Sequence, residues 1–120
     1  MSQTPSNDRH HATVFALTGE LGAGKTTFVQ KFARACGITE SVLSPTFVIL
    51  KKYGNLVHID AYRLKNAQEL AVLDIGELIQ DPNNVIMIEW ADRVKEILPA
   101  DTIWIHFEHV NETTRKISVI

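Results

Sequence analysis

The stretch GELGAGKT, residues 19–26, fits the pattern G-x-x-x-x-G-K-[ST] at every fixed position. Its glycines let the backbone curl so that several N–H groups point toward one centre, which a phosphate can approach without meeting side chains. Lys25 would place a flexible positive charge on the β- and γ-phosphates, and the Thr26 hydroxyl would be a ligand for Mg²⁺. A helix beginning at Lys25 adds the positive end of its dipole. The stretch therefore predicts a phosphate-binding loop.

The residues on either side of this loop have the character that it requires. Residues 13–18, TVFALT, are apolar and partly β-branched, which is typical of a buried parallel strand. After the loop, apolar residues recur at helical spacing from Phe28 to Cys36, and Gly37 is placed to end the helix. The same spacing puts Cys36 on the inward face, so we predict a buried structural thiol there.

Composition and charge narrow the class of protein. A chain of 120 residues with 45% hydrophobic and 22% charged residues is typical of one soluble globular domain. It contains no secretory signal pattern and a single cysteine, and together these features favour the cytoplasm. The net charge is −2 and Lys51-Lys52 is the longest basic cluster, so binding of nucleic acid by this chain alone is not favoured. We predict a flexible N-terminal segment over residues 1–12 and a P-loop ATPase domain over residues 13–120.

The remaining pattern alternates strands with helices. Residues 47–53 and 56–60 read as strands joined by the turn Gly54-Asn55, which predicts a β-hairpin. The other predicted elements are helical residues 66–80, interrupted at Gly76 into two short helices, a buried parallel strand at 85–88, a short helix at 91–98, and antiparallel strands at 102–109 and 115–120. The predicted fold is α/β: a P-loop NTPase-like three-layer structure with a mostly parallel central sheet and antiparallel edge hairpins.

Two acids leave apolar strands on the side of the sheet where ligands bind in α/β proteins. Asp60 is either a Walker-B-like acid that holds a Mg²⁺-bound water or orients the attacking one, or a cap of the following turn. Glu89 has the same placement, and with Thr26 the two acids would form a Mg²⁺ shell that keeps several waters. Trp90, directly after Glu89, either packs in the core or closes the site with its ring.

Other polar residues leave alternatives open. Thr46, in the turn SPTF at residues 44–47, belongs either to a nucleotide-dependent switch segment or to an ordinary loop. Arg63 is either a charge-stabilising arginine or a solvated residue. His58 and His106 lie in predicted strands without a Cys pair or an H-E-x-x-H motif, so a structural zinc site is not favoured.

The choice among P-loop proteins is narrowed by missing motifs. The sequence has neither the Asp-x-x-Gly switch after Asp60 nor an Asn-Lys-x-Asp guanine reader, so ATP is favoured over GTP. A small-molecule kinase needs an acceptor pocket and a lid with arginines, for which little chain is available, and it ranks second. A nucleotide-sensing module that binds ATP without hydrolysing it is the third hypothesis.

Four blocks give the sequence a specific resemblance to the bacterial TsaE (YjeE) family, the ATPase subunit of tRNA threonylcarbamoyladenosine biosynthesis. The blocks are GELGAGKTT at 19–27, SPTF at 44–47, HIDAYRL at 58–64 and IEW at 88–90. The resemblance covers roughly Val14 to Ile120. The first block is generic to P-loop proteins, whereas the other three together are specific to the family.

The resemblance implies a Mg-dependent ATPase that acts on the TsaB–TsaD complex and meets tRNA only indirectly. That complex would carry out N6-threonylcarbamoylation of adenosine 37 in tRNAs reading ANN codons, and the cofactors here would be ATP and Mg²⁺. By the same resemblance, Thr26 and Glu89 would be the Mg²⁺ ligands and Asp60 the acid near the attacking water. Trp90 would lie beside the site. The catalytic set would be Lys25, Asp60, Glu89 and Thr46, and the nucleotide-binding set Leu21, Gly22, Ala23, Gly24, Lys25, Thr26 and Thr27.

Overall fold

The computed structural model describes residues 10–20, 24–39, 50–62 and 75–119. Within these ranges the chain forms strands, two α-helices and a 3₁₀ helix. In chain order they are β1 (Thr13–Gly19), α1 (Lys25–Ala35), β2 (Leu50–Tyr53), β3 (Leu56–Asp60), α2 (Ile75–Gln80), β4 (Val85–Glu89), the 3₁₀ helix (Ala91–Ile97), β5 (Ile103–Asn111) and β6 (Thr114–Val119).

The described strands form one six-stranded sheet in the order β2-β3-β4-β1-β5-β6. The three inner pairings, β3 with β4, β4 with β1 and β1 with β5, are parallel. The two outer pairings, β2 with β3 and β5 with β6, are antiparallel. The expected architecture, a mostly parallel sheet with antiparallel edge hairpins, is confirmed.

Helices cover both faces of this sheet, which gives the predicted three layers. On one face, Val29 and Ala33 of α1 pack against a buried cluster that includes Leu17, Met87 and Phe107. On the other face, α2 and the 3₁₀ helix pack against a second cluster. The buried members of that second cluster are Ala12, Val14, Ala16, Val57, Ile59, Ala61, Ile75, Ile86, Ile88, Ala91 and Val94. The inner strands are apolar on both sides because both of their faces are covered.

The first helix begins at Lys25, as predicted, and ends before Gly37, whose φ of +86° suits a residue without a side chain. The prediction for Cys36 was wrong, since this residue is exposed. The helix ends at Ala35, so the helical spacing that points inward stops one residue before the thiol. Cys36 has φ −87° and ψ 2° in the turn that follows.

The hairpin prediction is confirmed where the structure describes it: β2 and β3 pair antiparallel around Gly54, which has φ +62°. Residues 47–49 lie outside the described part. The predicted helical stretch 66–80 is described only from Ile75, where α2 begins, so Gly76 lies in the first turn of that helix; residues 66–74, on which the prediction of two short helices depends, lie outside the described part. No helix in the described residues is long and apolar enough to cross a membrane. Most of the predicted N-terminal segment, residues 1–9, is likewise outside the description, whereas Ala12 is buried and its N–H donates to the Ile79 carbonyl.

Candidate functional site

The candidate site lies where β1, β3 and β4 end beside the first turn of α1. The parallel registers pair Leu17 of β1 with Glu89 of β4, and Asp60 of β3 with the same Glu89. The two predicted acids therefore lie side by side at the carboxyl edge of the sheet. This edge is where ligands bind in open α/β folds.

The first turn of α1 is suited to bind an anion. Gly24 precedes the helix in a left-handed conformation, φ 103°, and carries no side chain that could cap the first N–H groups. The first turn also contains no acidic residue. The first N–H groups of a helix have no partners within the helix, and together with the helix dipole they favour an anion, so phosphate binding at this turn stays the prediction.

Thr26 and Glu89 are in direct contact. The Thr26 hydroxyl lies 2.9 Å from Oε1 and 2.8 Å from Oε2 of Glu89, and it donates to this carboxylate. Since its one hydrogen is directed at Glu89, the lone pairs of the hydroxyl oxygen are left for a cation. The set consists of oxygen donors, a carboxylate and a hydroxyl, which is what Mg²⁺ requires. The residues present therefore fit the ion that the sequence implies.

Lys25 is buried at the same place, with 4% of its surface exposed. Its ammonium donates to the backbone carbonyls of Gly19 and Glu20, the second at 3.0 Å. It also lies 3.9 Å from the centre of the Trp90 ring, a cation–π contact. Burial lowers the pKa of Lys25 from its ordinary 10.5, and nearby carboxylates, Glu89 first, oppose that shift.

The other carboxylates acting on Lys25 are Asp60, Asp92 and Glu20. Asp92 was not singled out from the sequence, because it follows the strand end by three positions and belongs to no motif. It lies in the first turn of the 3₁₀ helix that follows β4. Asp60 also has a local role, since its Oδ1 accepts a hydrogen bond of 2.9 Å from the Tyr62 N–H. The turn-cap alternative is therefore realised alongside the placement beside Glu89.

Trp90 has a backbone conformation that is unfavourable for a bulky residue, with φ 60° and ψ 40°. The turn of the chain at this position brings the indole over Lys25. Its ring centre is 4.9 Å from that of Tyr62, which is 43% exposed and in turn lies 5.5 Å from the Arg93 guanidinium. Trp90 also packs against the core, as the packing interpretation expects, and closure of the site by its ring stays a prediction.

His58 is a second residue of the site that was not singled out from the sequence. Its side chain is 0% exposed, and Nε2 lies 2.6 Å from Oε2 of Glu89. A polar residue inside the apolar run LVHI was the available signal, and its position two residues before Asp60 placed it on the same face of β3. The contact between His58 and Glu89 depends on the strand register that sets His58 beside Met87, and this register could not be predicted from the sequence.

The structure thus brings together Lys25, Thr26, Asp60, Glu89 and Trp90. Thr27, in the first turn of α1, is exposed. The remaining predicted site residues, Leu21, Gly22, Ala23 and Thr46, lie outside the described residues, as does Arg63. The roles assigned to all these residues stay predictions.

The chain is an α/β protein of the P-loop NTPase class. Its first strand leads through a glycine-rich sequence into a helix, and the threonine of this helix contacts an acid at the tip of the neighbouring strand. The family model described as "Threonylcarbamoyl adenosine biosynthesis protein TsaE" matches residues 2–117. The chain belongs to the TsaE family.

Individual relatives agree with this assignment. The chain is 39% identical over 109 residues to the tRNA threonylcarbamoyladenosine biosynthesis protein TsaE of Bacillus subtilis, covering 88% of this chain and 67% of that protein. It is 35% identical over 112 residues to the protein of the same name from Rickettsia felis, covering 89% and 64%. The crystal structure of Bacillus subtilis YdiB superimposes with a TM-score of 0.74 at 34% identity, covering 91% of this chain and 68% of that one. The chain thus spans about two thirds of the length of these relatives.

Proposed function

We propose that this chain binds and hydrolyses ATP with Mg²⁺ as the ATPase subunit of tRNA threonylcarbamoyladenosine biosynthesis. It would act on the TsaB–TsaD complex, in the cytoplasm, and so support N6-threonylcarbamoylation of adenosine 37 in tRNAs reading ANN codons. The observation that carries the proposal is the contact between Thr26 and Glu89 beside the buried Lys25. Membership of the TsaE family supports the pathway.

Each residue of the site has a separate task in this proposal. The N–H groups at the start of α1 and the Lys25 ammonium bind the phosphates and stabilise the charge that develops on the γ-phosphoryl group. Thr26 and Glu89 hold Mg²⁺, which when bound offsets phosphate charge. Asp60, at the neighbouring strand tip, orients the attacking water. Trp90 shields the ammonium from solvent on one side.

The net charge of the chain supports an indirect role toward tRNA. Lys and Arg together number 12, against 14 Asp and Glu, which gives a net charge of −2. Proteins that bind RNA alone neutralise several phosphates with a basic face. We therefore assign tRNA binding to the partner complex and nucleotide hydrolysis to this chain, with the partners completing or triggering the site.

The test is to measure phosphate release from ATP by the purified chain, with and without the TsaB–TsaD pair, and to search the same reactions for a phosphorylated acceptor. The proposal expects slow release by the chain alone and faster release with the pair. Phosphate transfer to a metabolite without the pair would favour the kinase hypothesis. Tight ATP binding with no turnover, even in the complex, would favour a nucleotide sensor.

A further inference from the structure

His58 lies in the middle of β3 and has no role in the function proposed above. Its neighbours in the strand alternate between the two core clusters, and His58 faces the layer formed by α1. Its side chain reaches diagonally from the position beside Met87 toward the end of β4. There Nε2 lies 2.6 Å from Oε2 of Glu89. Because a carboxylate oxygen accepts, Nε2 is the donor.

Packing does not explain why this residue is a histidine. Nδ1 of His58 is buried and has no hydrogen-bond partner among the residues that the structure describes. Leaving a buried polar atom unpaired costs free energy that an aliphatic side chain of similar size would avoid. The bond to Glu89 is the contact that offsets this cost, so the identity of residue 58 is tied to the acid.

His58 and Thr26 approach Glu89 from different elements of the fold. Thr26 lies in the first turn of α1 and contacts both carboxylate oxygens, whereas His58 comes from β3 and contacts Oε2 only. One donor alone would leave the carboxylate free to rotate about its terminal torsion. Two donors from two rigid elements fix its plane and leave its remaining lone pairs in a defined direction.

We propose that His58 is a positioning residue that holds the Glu89 carboxylate in the orientation needed for the metal ion of a magnesium–nucleotide complex. The inference rests on the proposed function, because it takes Glu89 as the acid that holds Mg²⁺. Hydrogen bonds to the ligands of a metal typically change metal affinity about 10- to 100-fold when they are removed. His58 therefore contributes to binding of the metal-bound nucleotide and not to binding of the nucleotide alone.

Three substitutions of His58 distinguish the effect of its N–H donor from the effect of the shape of its ring. In His58→Gln the side-chain amide places an N–H near the position of imidazole Nε2. In His58→Asn the amide lies near Nδ1, too far back to reach Glu89. His58→Leu fills the space without any donor. Val57→Ala is the packing control, since Val57 is equally buried in β3 but belongs to the cluster on the opposite face of the sheet.

The measurement is the binding of the β,γ-imido analogue of ATP to the full chain, titrated with Mg²⁺ and repeated in EDTA. We expect His58→Leu and His58→Asn to raise, by about 10-fold or more, the Mg²⁺ concentration that gives half of the maximal effect on analogue binding. Binding of the analogue in EDTA should be unchanged. His58→Gln should restore the wild-type midpoint to within a few-fold, and Val57→Ala should not move it. If His58→Leu does not fold, the Gln and Asn variants still make the comparison.

Several results would overturn the inference. These are an unchanged midpoint in His58→Asn and His58→Leu, a Gln variant no better than the Asn variant, or an equal loss of binding in EDTA and in Mg²⁺. Glu89→Gln, measured alongside, distinguishes two kinds of failure. If Glu89→Gln shifts the Mg²⁺ midpoint and the His58 variants do not, only the positioning role fails. If Glu89→Gln shifts nothing, the magnesium site of the proposed function fails with it.

Discussion

The hydroxyl of Thr26 donates to both oxygens of the Glu89 carboxylate, at 2.9 and 2.8 Å, and so joins the phosphate-binding helix to the neighbouring strand tip. The contact spans 63 positions of sequence. It couples two predicted metal ligands, so a change in one must alter the other. The hydroxyl, not the shape of the side chain, makes this contact.

Thr26→Val should therefore remove Mg²⁺-dependent ATP binding while keeping the shape of the residue. The substitution also leaves the buried Glu89 with one donor fewer, which should lower the free energy of unfolding by about 1–3 kcal/mol. Nucleotide binding titrated with Mg²⁺ and urea denaturation measure the two effects. The matched control is Thr26→Ser, which retains the hydroxyl and should keep the Mg²⁺ response. Equal behaviour of the Val and Ser variants would contradict the role of the hydroxyl.

Lys25→Met should weaken ATP binding by about 10- to 100-fold, the range that corresponds to loss of a hydrogen bond between charged groups. Phosphate release should fall to background, because the ammonium would no longer stabilise the developing charge on the γ-phosphoryl group. Calorimetric titration and a phosphate assay measure the two quantities. Lys31→Met is the control, since Lys31 lies in the same helix and is exposed. Full activity of Lys25→Met would remove the loop from the mechanism.

Local patterns in the sequence were sufficient to predict the strand before the loop, the start of α1 and the antiparallel hairpin. Each of these depends on neighbouring residues: an apolar run, a glycine before a helix, or a two-residue turn. Asp60 and Glu89 could also be placed at one edge, because parallel strands end together.

Contacts that depend on register could not be predicted. His58 meets Glu89 only because β3 and β4 pair with His58 beside Met87. The Trp90 indole lies over Lys25 only because the backbone takes a positive φ at Trp90. Cys36 was placed inward by extending a helical period one residue past the real end of α1. Where a helix stops and how strands align are decided by tertiary packing, which a periodic pattern does not contain.

Trp90 should report nucleotide binding by its fluorescence. The Lys25 ammonium lies 3.9 Å from the centre of its ring, and an ammonium that moves to a phosphate changes the charge beside the indole. In Trp104→Phe, where Trp90 is the remaining tryptophan of the two in the chain, ATP should change the emission. In Trp90→Phe, ATP should leave the emission of Trp104 nearly unchanged. Saturating ATP binding without an emission change in Trp104→Phe would contradict the contact.

Gly19→Ala should destabilise the fold more than an equivalent change in an open turn. Gly19 has φ +131°, and a Cβ there would lie 2.3 Å from the backbone oxygen of Phe107 on β5. Positive φ and the clash together predict a loss of about 2–5 kcal/mol. Gly54→Ala is the control, because Gly54 has φ +62° but nothing within 4 Å of the added atom, so about 1–2 kcal/mol is expected. Urea denaturation measures the loss of unfolding free energy in both variants. Equal losses would mean that the close approach of Gly19 to β5 adds no cost to the substitution.

The buried ammonium of Lys25 should also make stability depend on pH. Burial lowers its pKa below 10.5 in the folded protein, whereas the unfolded chain keeps the ordinary value. Between the lowered pKa and 10.5 the unfolded state binds more protons, so the free energy of unfolding rises with pH in that window. Below the lowered pKa both states are protonated, and the cost of burying the charge is fully present.

The measurement is the difference in unfolding free energy between wild type and Lys25→Met, taken from urea denaturation at a series of pH values below 10.5. The other titrating groups cancel in this difference, which should shift in favour of wild type as pH rises. The same difference for Lys31→Met should stay flat, since Lys31 is exposed. A flat difference for Lys25→Met would mean that the ammonium is solvated in solution, and the cation–π contact with Trp90 would then lose its support.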